Sequence, residues 1–555
     1  MLLLTLLMSS VVIPSLADAQ KLFVSAPVPA KISTFGIVEF EISTGRAIAN
    51  PFDPEQAQVD GTFSLAGRSI VLPAFWDGRS FRLRFCPPKP GLWKLAVTIK
   101  TPGGVLQESD RSFHVAGSSK QGFVRIAKSN PRYFSLDSGA TFVPIGLNLC
   151  WPDKTGLASY DHRFAKLKSV GGNFARIWTT QDKRLETEKV GLGRYDMDAA
   201  AYYDGIFALA EKHGIRTMLT FDDYRVLAKT DYFNAHWDQS PYNAANGGPL
   251  KEPTDFFANP ACRKFYKQRL RYLVARYSAF PSLAIWELYN EQDNIPKPGV
   301  PIEWFREMTE YLASIDPYRH PITTSYSWDD KPEVWLTPAV GLTQRHMYGQ
   351  GDTVDFVSMI VESSHKLGRY EKPRLIGEFG ITWKEPDIAL DKAKLGTPLH
   401  DALWASIMTG DAGGALTWWW DNYLEPLDLW HVYVGISRFV SAIDFANRDF
   451  LPIRPKVKGM TALGLQDSAS GEAILWLHDP HSTWKADASG IIPRQWTDVH
   501  ASVPAIDAMT VEVWNTRTGE IIARNRQAPE GGFVDVKLPP FERDIAIHLQ
   551  KVTKG

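Results

Sequence analysis

Cysteine is scarce. Cys86, Cys150 and Cys262 are the only three in 555 residues, too few for a disulfide framework, so the fold must rest on buried apolar surface. One bridge among them is open and none is required. No Cys-x-x-C spacing occurs, and in His478-Asp479-Pro480-His481 the proline breaks any helix that would aim two imidazoles at one metal, leaving a turn. An excess of either charge is lacking too. Lys+Arg 61 against Asp+Glu 62 leaves a net −1, with no footprint for nucleic acid or an anionic membrane surface. Beyond the N-terminus no apolar run approaches the ~18 residues of a membrane span. No G-x-G-x-x-G follows an early strand, which removes the usual phosphate loop of a doubly wound open sheet.

What is present is an ordinary globular composition, 44% hydrophobic and 22% charged, in a chain long enough for several domains. The 19 tryptophans stand out; flat aromatic faces stack on sugar rings and also fill large cores. At the N-terminus an apolar stretch, Leu2 to Leu7 and then Val11 to Ile13, ends in Ala17-Asp18-Ala19, the small-x-small pattern of a signal-peptidase site. No Lys or Arg precedes it. Residues 1–19 are expected to be a signal peptide, giving a secreted or periplasmic location in a bacterium; a buried N-terminal strand is the alternative.

Periodicity divides the rest. From 20 to 120 short runs alternate with period two, as in Val38, Phe40 and Ile42, in Phe81 to Phe85 and in Trp93 to Ile99, with Pro-Gly turns between them. That is β-sandwich patterning. From 121 to 452 strand candidates alternate with amphipathic stretches. The strand candidates are Phe142–Leu147, Asn173–Trp178, Arg216–Phe221, Leu283–Leu288, Ile322–Tyr326, Leu342–Met347, Arg374–Ile376 and Ala415–Trp419. The helical stretches are Tyr160–Val170, Ala199–Lys212, Ala261–Ser278, Ile302–Ile315, Thr353–Leu367 and Pro398–Thr409. Helix-stop glycines such as Gly214 punctuate them. This predicts an α/β class protein, a (β/α)₈ TIM barrel. From 453 to 555 strand periodicity returns, in Ala473–Leu477, Met509–Trp514 and Asp544–Leu549, predicting a C-terminal β-sandwich.

Two segments carry the chemistry: Ile285-Trp286-Glu287-Leu288-Tyr289-Asn290-Glu291 and Leu375-Ile376-Gly377-Glu378-Phe379-Gly380. In each, a strand-like run ends on a glutamate. In a barrel all strand C-termini share one face, so strands four and seven would bring Glu291 and Glu378 across one mouth. Two facing carboxylates are what hydrolysis of a glycosidic bond requires. Glu287 reads as a buried interior group paired with a neighbouring Arg or polar side chain. Asp222 and Asp223 are read either as contacts to substrate hydroxyls or as helix caps. The long segment from Asp222 to Pro260, with Tyr224, Tyr232, Phe233, His236, Trp237 and Tyr242, suggests a cleft wall. Trp151 and Trp178 are further stacking candidates, or core.

Tyr289-Asn290-Glu291 together with Gly377-Glu378-Phe379-Gly380 resembles the clan of retaining barrel glycoside hydrolases that includes the family 5 cellulases and mannanases. The resemblance implies Glu291 as acid/base and Glu378 as nucleophile. It implies Asn290 on the sugar 2-OH, and Arg176 in Asn173-Phe174-Ala175-Arg176 holding the nucleophile ionised. His346 and Tyr348 match the clan's His-x-Tyr, with Tyr348 on the nucleophile. Trp418, Trp419 and Trp420 sit where that clan places a tryptophan platform, which of the three being open. Asn50-Pro51-Phe52 and Pro90-Gly91-Leu92-Trp93 resemble an N-terminal sandwich of bacterial enzymes of this kind, and Trp514-x-x-x-Thr518-Gly519 their closing sandwich. The implied activity is retaining cleavage of a β-linked glycan with no metal or organic cofactor, the carboxyl groups ~5–5.5 Å apart. A non-catalytic carbohydrate-binding protein on the same barrel, or a transglycosylase, is the alternative.

Overall fold

The computed structural model describes residues 22–45, 47–181, 183–229, 235–328 and 331–552, the side chains of Ser109 and Asp110 excepted. The expected signal peptide, and Tyr232 and Phe233 of the long segment, lie outside the described residues. The chain separates into two compact units: residues to Lys120 with Phe265–Ala279, and Gln121–Lys264 with Phe280–Gly555.

In the first unit, two sheets form. One has the strands Leu22–Val24, Val38–Thr44, Phe81–Phe85 and Phe75–Trp76; the other has Ile32–Ser33, Gly104–Ala116, Gly91–Thr101, Gln58–Leu65 and Arg68–Pro73. The period-two pattern explains the layering, because alternate side chains of Val38–Thr44 point inward and are buried. Phe85 stacks on Phe63 of the other sheet at 3.9 Å, and Phe40 meets Phe113 at 5.2 Å.

The second unit is mixed α/β. Gly146–Asn148, Phe174–Trp178, Arg216–Asp223, Leu283–Asn290 and Ile322–Thr323 pair in parallel in that order, and Thr343–Tyr348 pairs in parallel with Arg374–Gly380. Phe174–Trp178, Leu283–Asn290 and Arg374–Gly380 are buried at every residue, which is why they read as apolar runs rather than alternations. Ala415–Trp419 is not a strand; Thr417 alone bridges in parallel to Leu147 and to Phe379. Phe142–Leu147 is also shorter than expected. Pro144 carries no N–H, and the pairing restarts at Gly146. Arg374–Gly380 runs four residues further than its apolar pattern, so Glu378 lies inside the strand.

Helices sit between these strands. Met197–His213 is capped by Asp196, whose side chain accepts from Ala199 N at 2.9 Å, and it stops at Gly214 with φ 66°. Ile302–Ile315 has the bounds its periodicity indicates. The helix Val432–Ser441 has no counterpart in the sequence reading. The described residues of the long 222–260 segment include short helical turns, such as Tyr224–Leu227 and Trp237–Gln239. Trp237 and Tyr242 are buried within it rather than displayed.

The unit ends in a six-stranded antiparallel sheet: Phe450–Ile453, Thr461–Asp467, Ala473–His478, Asp544–Lys551, Met509–Trp514, Ile521–Gln527. Two paired ribbons, one of them His500–Pro504 with Phe533–Lys537, cover its core of Leu475, Val511, Val534 and Ile547. All three cysteines are buried.

Candidate active site

Arg176 organises the site from below. Its guanidinium is fully buried and donates to Glu287 (Nε–Oε2 2.7 Å, Nη2–Oε1 3.0 Å), Glu378 (Nη1–Oε1 2.7 Å), Asn290 Oδ1 (2.7 Å) and Asn148 Oδ1 (3.1 Å). A buried cation survives only with such a full set of acceptors. The bidentate pair goes to Glu287, which also accepts from Thr220 Oγ1 (2.6 Å) and Gln344 Nε2 (2.7 Å). Burial pushes its pKa up, yet Arg176 foremost, then His346 and Thr220, hold the Glu287 carboxyl below the usual carboxylate range. Glu287 is therefore the paired interior group the sequence suggests.

Glu378 has a narrower share of that charge. Burial is the largest influence and lifts its pKa, while His346, Arg176 and the Tyr348 hydroxyl pull it down. Arg176 does pull this carboxyl down, but burial outweighs it and the cation is divided between two acids. Tyr348 donates to Glu378 Oε2 at 2.6 Å.

Glu291 follows the strand Leu283–Asn290 in the left-handed region, φ 50° and ψ 63°. A non-glycine residue is seldom held there without surrounding support. Its N–H donates to Ser325 Oγ at 2.9 Å, and Gln292 N donates to Ser325 O at 3.0 Å, fixing the turn. The carboxyl accepts from Asn294 Nδ2 at 2.9 Å, and 13% of the side chain is exposed. Burial and the nearby Asp293 carboxylate raise its pKa to about 7. His346 joins the two acids, with Nδ1 2.9 Å from Glu291 Oε1 and 3.3 Å from Glu378 Oε2. Burial lowers the pKa of this imidazole to about 4, so it is neutral near pH 7. One oxygen of each glutamate and one His346 nitrogen all lie within 4.8 Å of one another. Such a set could hold a metal ion, but Arg176 at 2.7 Å from Glu378 sets a positive charge against it.

A cavity of about 980 Å³ opens over the two acids. Glu291, Glu378, Asn290, His346, Tyr348, Trp151, Trp178, Trp418, Trp419 and Tyr224 line it. Trp420 does not; it is fully buried behind Trp151, ring centres 4.4 Å apart. Trp419 is held by Nε1 on Thr382 O at 3.1 Å, and Trp151 by Nε1 on Asp421 Oδ2 at 2.9 Å. Asp222 is a correction. Its strand continues through Asp223, leaving Asp222 buried and off the cavity lining. Asp223 binds Arg225 and Thr180 and accepts from Arg225 N, the capping alternative. Residues the sequence reading did not single out also line the cavity, among them Arg225, Asn294, Trp328 and Trp383. The polar run Asn290 to Asn294 and the lone Trp328 after the fifth strand were the available signals.

Comparison with known proteins finds relatives named for mannan hydrolysis. The protein assigned as mannan endo-1,4-beta-mannosidase 4 of Arabidopsis thaliana is 25% identical over 358 residues, 55% of this chain and 84% of that one. Mannan endo-1,4-beta-mannosidase 3 of Oryza sativa subsp. japonica is 28% identical over 209 residues, 34% of this chain and 43% of that one. The chain is thus similar to proteins named as mannan endo-1,4-beta-mannosidases. It spans about half the length of several of these curated relatives, 43% and 48% in two of them. A crystal structure from Bacteroides vulgatus, assigned as a glycoside hydrolase, shares the fold with TM-score 0.65 at 14% identity, over 94% of this chain and 100% of that one. Residues 31–100 match a family described as a domain of unknown function, DUF5060. Among the described residues no helix is long and apolar enough to cross a membrane.

Proposed function

We propose that this glycoside hydrolase cleaves a β-linked glycan by double displacement, with β-1,4-mannan, the substrate named for its relatives, as the first candidate. One observation carries the reading: an oxygen of Glu291 and an oxygen of Glu378 lie within 4.8 Å at the floor of one open cavity. That separation supports the retaining geometry over the inverting one, which needs about 6.5–9.5 Å to admit a water.

In this reading Glu291, lifted to about 7, holds a proton at neutral and acidic pH. It gives that proton to the glycosidic oxygen as the bond to C1 breaks. Glu378, ionised against Arg176 and Tyr348, attacks C1 and forms a glycosyl ester. The Glu291 carboxylate then takes a proton from water, which attacks C1 and frees Glu378. Asn290, fixed on Arg176 at 2.7 Å, is poised for the sugar 2-OH. Trp418 and Trp419 offer stacking faces. The parallel succession is read as a (β/α)₈ barrel over 121–452 between β-sandwiches at 20–120 and 453–555, with export directed by residues 1–19.

The test is hydrolysis of aryl β-mannosides and β-glucosides by the wild type and by Glu378→Ala, with the first-formed anomer followed by NMR. The expected result is β product from the wild type and a loss of about 10⁴-fold or more in the variant. Equal rates would remove Glu378 from the chemistry, no turnover by either would favour the binding-protein reading, and new linkages would indicate transglycosylation.

A further inference from the structure

Directly after Tyr348 the cavity wall is a single turn, residues 349–355, of which Gly349, Gln350 and Thr353 face the cavity. The turn folds tightly on itself. Gln350 N donates to Thr353 Oγ1 at 3.0 Å, and a Cβ at Gly349 would lie 2.8 Å from Thr353 Cβ. Its outer side is held from the C-terminal part of the chain. Trp484 Nε1 donates to Thr353 O at 2.9 Å, and Lys485 Nζ donates to Asp352 O at 2.7 Å.

Both donors sit on the short helix Trp484–Ala488, which is itself fixed. Thr483 caps it through Ala486 N, Arg543 pairs with Asp487 at 2.7 Å, and Thr397 Oγ1 reaches Asp487 Oδ2 at 2.7 Å. Trp484 is 5% exposed, and the Thr353 carbonyl is the partner of its indole N–H. The bond therefore ties the position of a cleft-lining turn to a helix that follows the third strand of the six-stranded sheet.

We propose that Trp484 is a positioning residue for the cleft, holding the 349–355 turn where the more distant sugar units of the substrate bind. This assigns the C-terminal sheet region a part in substrate recognition without its touching sugar, and it rests on the hydrolase reading above. The turn begins one residue beyond Tyr348, and what it offers the cavity is Gly349, Gln350 and Thr353, none of which bonds to either acid. Its displacement is then felt as weaker binding of long substrates, with bond cleavage itself unchanged.

The experiment uses the full chain carrying Trp484→Phe, which keeps the ring and removes the N–H, and in parallel Lys485→Met at the more accessible partner. Hydrogen exchange should quicken in 349–355 and stay as in the wild type across the parallel strands. KM for a β-1,4-manno-oligosaccharide long enough to span the cleft should rise about fivefold for Trp484→Phe, the worth of one neutral hydrogen bond. Its kcat, and both constants for an aryl β-mannoside, should hold. Unchanged exchange in 349–355, or exchange rising throughout with the long-to-short KM ratio unaltered, would overturn the proposal. If the wild type hydrolyses neither substrate, the hydrolase reading fails, and the exchange result still decides whether Trp484 positions the turn.

Discussion

Glu291 combines a left-handed backbone with a carboxyl raised to about 7, and its surroundings account for both. Ser325 receives its N–H, while Asp293 and burial disfavour its charge. As the proposed acid it must be protonated in the free enzyme, so kcat/KM should fall as pH rises through about 7. The acidic limb belongs to Glu378, whose burial-raised pKa puts that limb above the usual carboxylate value. A pH–rate profile with no fall on the alkaline side would be incompatible with Glu291 as the acid. Stability carries the same signature. The folded protein retains the Glu291 proton where the unfolded chain has released it, so stability falls as pH climbs from the ordinary carboxylate value toward about 7. Glu291→Gln should therefore be more stable than the wild type at about pH 8 by on the order of 3 kcal/mol, and little different at about pH 4. Paired melting curves at the two pH values check this.

At the scale of single elements, the parallel strands bring the charged side chains of the candidate site together, with helices between them. Leu283–Asn290 brings Glu287 and Asn290 to one guanidinium, and Arg374–Gly380 brings Glu378 to the same one. Met197–His213 lies between the second and third of these strands, and its start depends on the Asp196 carboxylate, which accepts from Ala199 N. Asp196→Ala should lower stability by about 1 kcal/mol through the lost cap. Activity at a temperature below both melts should be unchanged. A fall in kcat without a fall in the melting temperature would give Asp196 a role in the chemistry instead.

Within the second unit, the helix Val432–Ser441 approaches the C-terminal sheet region so closely that only glycine fits at 435. A Cβ there would lie 1.7 Å from the Thr516 carbonyl oxygen. Backbone cannot move aside as a flexible side chain can. Gly435→Ala should therefore force the two apart and cost about 3 kcal/mol or more, seen as a lower denaturation midpoint. An unshifted midpoint would mean that this contact gives way freely. Arg438 Nη1 on Thr518 O at 2.7 Å reinforces the same junction, and His400, on the helix Thr397–Met408, makes a separate tie to Asp544 at 2.7 Å.

The sequence by itself determined the residue types that matter and where along the chain they fall. A glutamate after Asn290 and a second after Gly377 are legible because buried parallel strands need apolar runs and charged residues interrupt them visibly, whereas the arginine at 176 is singled out only by the resemblance. Helix bounds such as Ile302–Ile315 are legible for the same local reason, since periodicity is a property of neighbours. Only the tertiary structure decided which groups share a partner: that Arg176 serves Glu287 twice and Glu378 once, that Asp293 sits near Glu291, that Trp418 and Trp419 line the cavity while Trp420 is core, and that Thr417 stands where a strand was expected. Those facts depend on distances between side chains whose segments lie far apart along the chain. Burial and Coulomb interaction act through such distances, whatever the separation in sequence.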